Sequence, residues 1–207
     1  MLRQLRPAIM SVLVITVLTG LIFPAVVFAI GKVAFPYQAN GSLIRRGGRV
    51  VGSRLIGQNF SAPGYFHPRP SANGYDATNS GGTNLGPTSN KLINGDHKKL
   101  PNGTNDPNYS NNFDGIVDLA AAYRKDNGLD KAVPLPADAV TRSASGLDPD
   151  ISPANAQLQV NRVADTRKLS RDYVKKLVEE HTTRPQFGFL GEARVNVLEL
   201  NLALDGK

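Results

Sequence analysis

Neither cysteine nor tryptophan occurs anywhere in the 207 residues. Without cysteine there can be no disulfide framework, no thiolate zinc site and no cysteine nucleophile. Aromatic residues are sparse, with 8 Phe and 6 Tyr. No stretch interleaves them with Lys and Arg, as a base-stacking surface would require. The 24 basic and 17 acidic residues leave a net charge of +7, but that charge is scattered and does not make nucleic acid an expected partner.

What the sequence does have is one long apolar run. Ala8 to Ile30 (AIMSVLVITVLTGLIFPAVVFAI) contains no charged residue. As a helix it would be about 34 Å long, enough to cross a hydrocarbon layer of about 30 Å. The rival is a cleaved secretory signal, for which Val27-Phe28-Ala29 offers small residues. The run exceeds the usual signal core of about 7–15 residues, which favours a retained anchor. Arg3 and Arg6 then place residues 1–7 in the cytoplasm, 8–30 in the bilayer and 33–207 outside it, although Arg45, Arg46 and Arg49 at the far end weaken that signal. Thr16, Gly20 and Pro24, spaced by four, would share one face, where small residues permit close helix packing.

The extramembrane part predicts a single loop-rich α+β domain, so the fold is one N-terminal transmembrane helix followed by a soluble α+β domain. Val50 to Ile56 reads as a short strand. Between Gly57 and Asn112, Gly, Asn, Pro and Ser supply 30 of 56 residues, which excludes long helices. Residues 94–112 carry almost no large apolar side chain and read as a mobile insertion. The preceding stretch differs, because Phe60, Tyr65, Phe66, Tyr75 and Leu85 can pin an irregular loop to a core. A helix is expected from Ile116 to Gly128, with Ile116, Leu119, Ala120 and Tyr123 on one face. Val133 to Pro136 reads as extended, with Val140-Thr141 continuing it as a strand. Ser152 before Pro153 starts a helix that turns Leu158, Val160 and Val163 inward. Ser170 caps another, with Asp172 in its first turn and Tyr173, Val174, Leu177, Val178 and His181 on its inner face. Gly188 and Gly191 mark a turn. Val195 to Leu204 alternates, placing Leu198, Leu200, Leu202 and Leu204 on one side of a strand.

No catalytic constellation emerges. There is no G-x-x-x-x-G-K-[ST] and no G-x-G-x-x-G opening a helix. Asp130-Lys131 continues as Ala132-Val133 rather than the Thr-Gly of a phosphorylated transport ATPase. His67, His97 and His181 have no paired metal spacing, so no metal site is expected. His67 reads as a loop hydrogen-bonding group, and His181 as a helix end cap. Ser145 lacks the first Gly of a nucleophile elbow. Asp148 and Asp150 read as turn and helix-entry residues rather than a catalytic pair. The segment Ser80, Gly81, Gly82, Thr83, Asn84, Leu85, Gly86 could form an anion-holding nest. The simpler reading, a pair of turns with positive φ at the glycines, is preferred on the residues alone.

Four segments together carry a resemblance: GQNFSAPGYFHPRPSA (57–72), SGGTNLGPT (80–88), SGLDPDISPANA (145–156) and HTTRPQFGFLGEARVNVLELNLALD (181–205). In this order, behind a single N-terminal span, they resemble the C subunit of the bacterial Kdp potassium-transporting ATPase, over nearly the whole chain. The sequence departs at Asp150, where the family usually has His, and at Ala193, where it usually has Pro. The first change argues against a conserved metal or proton role there. Residues 94–112 fall where the family varies.

The resemblance implies a non-catalytic accessory subunit of a potassium importer in a bacterial inner membrane. Its implied partners are a potassium-selecting channel-like subunit and a P-type ATP-hydrolysing subunit, which a small single-span peptide can accompany, in a lipid bilayer. It also implies a role in assembly and activity, and a proposed role as a catalytic chaperone that raises the ATP affinity of the hydrolytic subunit. Residues 80–86 look like the stretch linked to that proposal, so ATP is a ligand by resemblance only. On physical grounds this loop, with Phe60, Tyr65 and Phe66, is expected to dock on a partner subunit. The alternative is a stand-alone membrane-anchored protein binding an extracytoplasmic ligand.

Overall fold

A computed structural model describes residues 2–206, in two compact units that meet between Ser53 and Arg54. The first begins with α1 (Leu2–Val17), a π-helical turn (Leu18–Ile22) and α2 (Phe23–Ala34). Arg3–Ala34 is the one helix among the described residues that is long and apolar enough to cross a membrane, and none of its apolar window is buried by protein. The π turn has a local cause. Pro24 has no N–H for the Gly20 carbonyl, and its ring crowds that carbonyl. The helix widens instead, and the Phe23 N–H reaches back five residues to the Leu18 carbonyl.

After α3 (Pro36–Ala39) comes a hairpin of β1 (Leu43–Arg46) and β2 (Arg49–Ser53). The strand expected over Val50 to Ile56 therefore begins one residue earlier and ends at Ser53. The turn is Gly47-Gly48, with φ of 56° and 80°, as a tight two-residue hairpin requires.

The second unit has long irregular stretches. Its elements are α4 (Asn90–Asn94), α5 (Ile116–Asn127), α6 (Ala137–Val140), β3 (Asp150–Ile151), α7 (Pro153–Arg167), α8 (Arg171–Glu180), β4 (Thr182–Thr183), β5 (Arg194–Asn196) and α9 (Val197–Leu204). The three strands form an antiparallel sheet in the order β3-β5-β4, with Ile151 and Thr182 both opposite Val195. The segment expected to be mobile, 94–112, is folded back by bridges between Asp96 and Phe113, just beyond it, and between Lys99 and Asn105.

Local signals placed three helices of the second unit, α5, α7 and α8. Ser152 accepts from the Asn155 amide at 3.1 Å ahead of Pro153, and Ser170 accepts from the Tyr173 amide at 3.2 Å. Gly128 closes α5 at φ 62°. The core beneath these helices joins Val160 and Val163 of α7 to Val174 and Val178 of α8, Val195 of the sheet, and Leu200 and Leu204 of α9, all at most 2% exposed.

Two expectations are corrected. Val140 closes the short helix α6 instead of starting a strand, because the Thr141 amide and hydroxyl both donate to the Ala137 carbonyl, at 2.9 and 2.6 Å, and close a helical turn. Val195 to Leu204 is a strand only as far as Asn196. Asn196 then caps a helix, accepting from the Glu199 amide at 3.1 Å. Burial in α9 follows helical spacing through Val197, Leu200, Asn201 and Leu204.

Candidate functional site

The irregular segment from Gly57 to Thr88 is held by side chains from far along the chain. Phe66 is fully buried in the core, so its ring is unavailable to a partner and belongs to packing, contrary to the docking role expected of it. Around it, two side-chain amides stand in for neighbouring strands. Asn201 Oδ1 accepts from the Phe66 amide at 2.8 Å while its Nδ2 donates to the Phe66 carbonyl at 3.0 Å. Gln159 does the same for His67, at 2.7 and 3.1 Å. Both side chains are buried, which makes their lost hydration costly unless every such bond forms. Gln159 also donates to Asn155, which in turn accepts from the Tyr123 hydroxyl at 2.7 Å. Arg162 completes the clamp with bonds to the Pro63 and Tyr65 carbonyls and to Gln159 Oε1.

Phe60 packs half-buried against the core and meets the Tyr65 ring with centroids 5.5 Å apart. The Tyr65 hydroxyl donates to Asp205 at 3.0 Å, and the Arg167 guanidinium stacks 4.5 Å from its ring. Beside Phe60, residues including His67, Arg69, Ser71, Tyr75 and Tyr123 line an open cleft of about 410 Å³. His67 Nε2 lies 3.2 Å from the Ala62 carbonyl, in keeping with a loop hydrogen-bonding role. Burial, and then the Arg162 charge, hold the His67 pKa below its usual value. Burial, followed by Asp148, pushes the Tyr75 hydroxyl up, and it donates to the Arg69 carbonyl at 2.6 Å.

The two aspartates singled out by spacing are both engaged structurally. Asp148 takes Arg69 at 2.9 Å and the Asp150 amide at 3.1 Å. Asp150 takes Arg194 at 3.0 Å and Asn196 at 3.1 Å, and burial raises its pKa. His181 is the C-cap of α8, its Nδ1 2.8 Å from the Leu177 carbonyl.

The glycine-rich segment lies against the turn at 143–146. The Gly81 amide donates to the Ser145 carbonyl at 2.9 Å, and the Ser80 hydroxyl reaches the same oxygen at 3.1 Å. At least one amide of the expected nest is therefore already committed. The expected positive φ is not at Gly81, Gly82 or Gly86 but at Asn84, at 54°. Gly82 is needed for a different reason: a Cβ there would sit 2.9 Å from the Ala144 carbonyl oxygen. Thr83 and Leu85 are half-buried.

Three features go beyond what the sequence spacing showed. The turn that Gly188 marks, closed between Gln186 and Leu190 by reciprocal backbone bonds of 2.9 Å, holds Phe187 and Phe189 86% and 75% exposed, which the glycines alone did not indicate. Phe187 adopts φ 52°, an unusual conformation for a bulky side chain and a frequent mark of functional sites. His97 Nε2 lies 3.1 Å from Asp118 Oδ2 and 3.5 Å from Asp114 Oδ1. These three are ligand types able to hold a cation, but Asp118 Oδ2 also caps α5 by accepting the Gly115 amide at 2.8 Å. The buried amides Gln159 and Asn201 were hidden as well, each lying between apolar neighbours. A polar residue flanked by apolar ones was the signal available.

In comparisons with known proteins, the family described as "KdpC: K+-transporting ATPase, c chain" matches residues 5–206. The chain is 48% identical to the potassium-transporting ATPase KdpC subunit of Mycobacterium tuberculosis, over 99% of each chain. It is 47% identical to that of Koribacter versatilis, over 100% of this chain and 96% of the relative. To the Burkholderia vietnamiensis protein of the same name it is 50% identical, over 97% and 95%.

Proposed function

The chain belongs to the KdpC family of potassium-transporting ATPase subunits, and from that premise we propose a membrane-anchored, non-catalytic subunit that docks on the rest of the importer. Its partners in this reading are the potassium-selecting channel-like subunit and the P-type ATP-hydrolysing subunit, with a small single-span peptide accompanying them. Residues 1–7 face the cytoplasm, the apolar run from Ala8 to Ile30 spans the bacterial inner membrane, and the domain that follows is periplasmic.

The observation that carries docking is the exposed aromatic turn. Two phenylalanines held in solvent on an ordered turn, one of them in a strained conformation, are costly unless a partner covers them. Residues 80–86, Phe60 and Tyr65 extend the proposed contact surface. Assembly is also the route by which the subunit raises the apparent ATP affinity of the hydrolytic subunit. Nucleotide bound to this chain is the weaker reading, since the Gly81 amide is occupied and residues 80–86 contain no lysine. The open cleft beside His67 is the feature that favours a separate extracytoplasmic ligand.

The test replaces Phe187 and Phe189 together by serine. Because both rings are exposed, the thermal stability of the chain should hold, while recovery of the larger subunits on co-purification falls at least tenfold. Full recovery of an active complex would reject docking through this turn.

A further inference from the structure

Six of the seven net positive charges lie in the first 53 residues, which hold Arg3, Arg6, Lys32, Arg45, Arg46 and Arg49 and no Asp or Glu. The remainder of the chain is close to neutral. Charge is therefore concentrated in the unit that carries the candidate span.

Three of those six residues sit at the end of one hairpin. In the β1–β2 register Arg46 is opposite Arg49, and Arg45 is opposite Val50, next to a bulge between Ile44 and Arg45. All three arginines are exposed. Three guanidiniums at one tip offer fork-shaped donors that match the oxygens of a phosphate.

The foot of the hairpin is tied to the end of the span. Lys32 Nζ donates to Asn40 Oδ1, and the Ser42 amide donates to the Tyr37 carbonyl at 3.0 Å. The Tyr37 hydroxyl returns to the Ser42 carbonyl at 3.1 Å, and Ser53 Oγ donates to the Gly41 carbonyl at 2.7 Å. Phe35 and Tyr37, 57% and 46% exposed, supply the aromatic residues common at a membrane–water boundary. A four-residue strand covers only about 14 Å, which keeps long arginine side chains within reach of the headgroup layer.

We propose that the tip formed by Arg45, Arg46 and Arg49 binds the phosphates of anionic phospholipids in the leaflet at the Lys32 end of the span. Such a contact accounts for a feature that runs against the usual charge distribution, namely basic residues beyond the far end of a single span. It is independent of docking through the Phe187–Phe189 turn.

The test uses the full chain in neutral detergent, with a fluorophore on a Val50→Cys substitution, the chain having no other cysteine. Mixed micelles containing phosphatidylglycerol should give a saturable response that weakens with added salt, and phosphatidylcholine should give none. Arg45→Gln and Arg49→Gln should each raise the half-saturating phosphatidylglycerol content by roughly fivefold, whereas the matching Arg→Lys changes should retain the response. The proposal is overturned by equal responses to the two lipids, by unchanged half-saturation in the Gln variants, or by loss of response in the Lys variants. Saturation by inorganic phosphate alone would identify a free-anion site instead. A response seen only after the partner subunits are added would identify an acidic protein surface, and either result rejects the lipid assignment.

Discussion

Asn201 and Phe66 are 135 positions apart, yet one Asn201 side chain satisfies both the N–H and the C=O of Phe66, at 2.8 and 3.0 Å. A loop without strand partners can thereby hold a fully buried ring. Asn201→Ala would leave two buried backbone groups without partners. The expected loss is about 2–4 kcal/mol of stability, from one to three per unmade bond with some relaxation. Denaturant unfolding of the variant checks it. A loss below about 1 kcal/mol would mean that water replaces the clamp.

How well this arrangement could be read in advance depended on the range of the interactions. The caps of α7 and α8 were legible because Ser152, Pro153 and Ser170 act within three residues of themselves. The α9 helix was not, because leucines at every second position mimic a strand. The pair of Asn196 and Glu199 was the deciding local signal there. Phe60, Tyr65 and Phe66 were correctly seen as residues pinning a loop. Nothing local showed that Phe66, unlike the other two, would be fully buried and closed to a partner, since its backbone and that of His67 are held by Asn201 and Gln159 from distant helices. The His97, Asp114 and Asp118 grouping was hidden for the same reason, as it forms only when residues 94–112 fold back toward α5.

His67 links this clamp to pH. Its folded pKa lies below the 6.5 of an unhindered imidazole, first through burial and then through Arg162. The unfolded chain therefore takes up a proton at a pH where the folded chain does not. Stability is full above about pH 6.5 and declines as pH falls through that value toward the folded pKa. His67→Asn should flatten the decline between about pH 7 and 5. Thermal midpoints of the two chains across that range decide the matter, and parallel curves would clear His67 of the effect.

Gly81 and Gly82 are adjacent but should respond differently to substitution. A Cβ at Gly81 meets nothing within 4 Å, whereas one at Gly82 would lie 2.9 Å from the Ala144 carbonyl. Gly81→Ala should be close to neutral. Gly82→Val should push residues 80–86 off the turn at 143–146 and cost about 1–3 kcal/mol. On the docking reading, complex recovery and potassium uptake fall together in Gly82→Val, with an unchanged Michaelis constant for ATP in the complex that remains. A rise in that constant with assembly intact would favour a nucleotide role for the loop.

The orientation of the domain can be tested at Asn105, which is exposed. With no cysteine elsewhere, Asn105→Cys gives a single reactive thiol. Arg3 and Arg6 before the span favour a cytoplasmic N-terminus, so a membrane-impermeant thiol reagent should label intact spheroplasts. Labelling only after lysis would reverse the assignment.

Gly20 tests whether the span is more than an anchor. It lies in the π turn created by Pro24, and a Cβ built on it meets nothing within 4 Å. The isolated helix can therefore accept a larger residue, and Gly20→Leu keeps the segment apolar enough to insert. In a bilayer, however, helices associate through close backbone approach, which a leucine at a small-residue face prevents. The variant should reach the membrane in normal amounts while less of the larger subunits co-purifies with it. Combining it with the Phe187→Ser and Phe189→Ser changes separates the two contacts. If the span and the turn dock independently, their losses multiply. If the triple variant loses no more than the double, the span makes no separate contribution to assembly and Gly20 is ordinary anchor sequence.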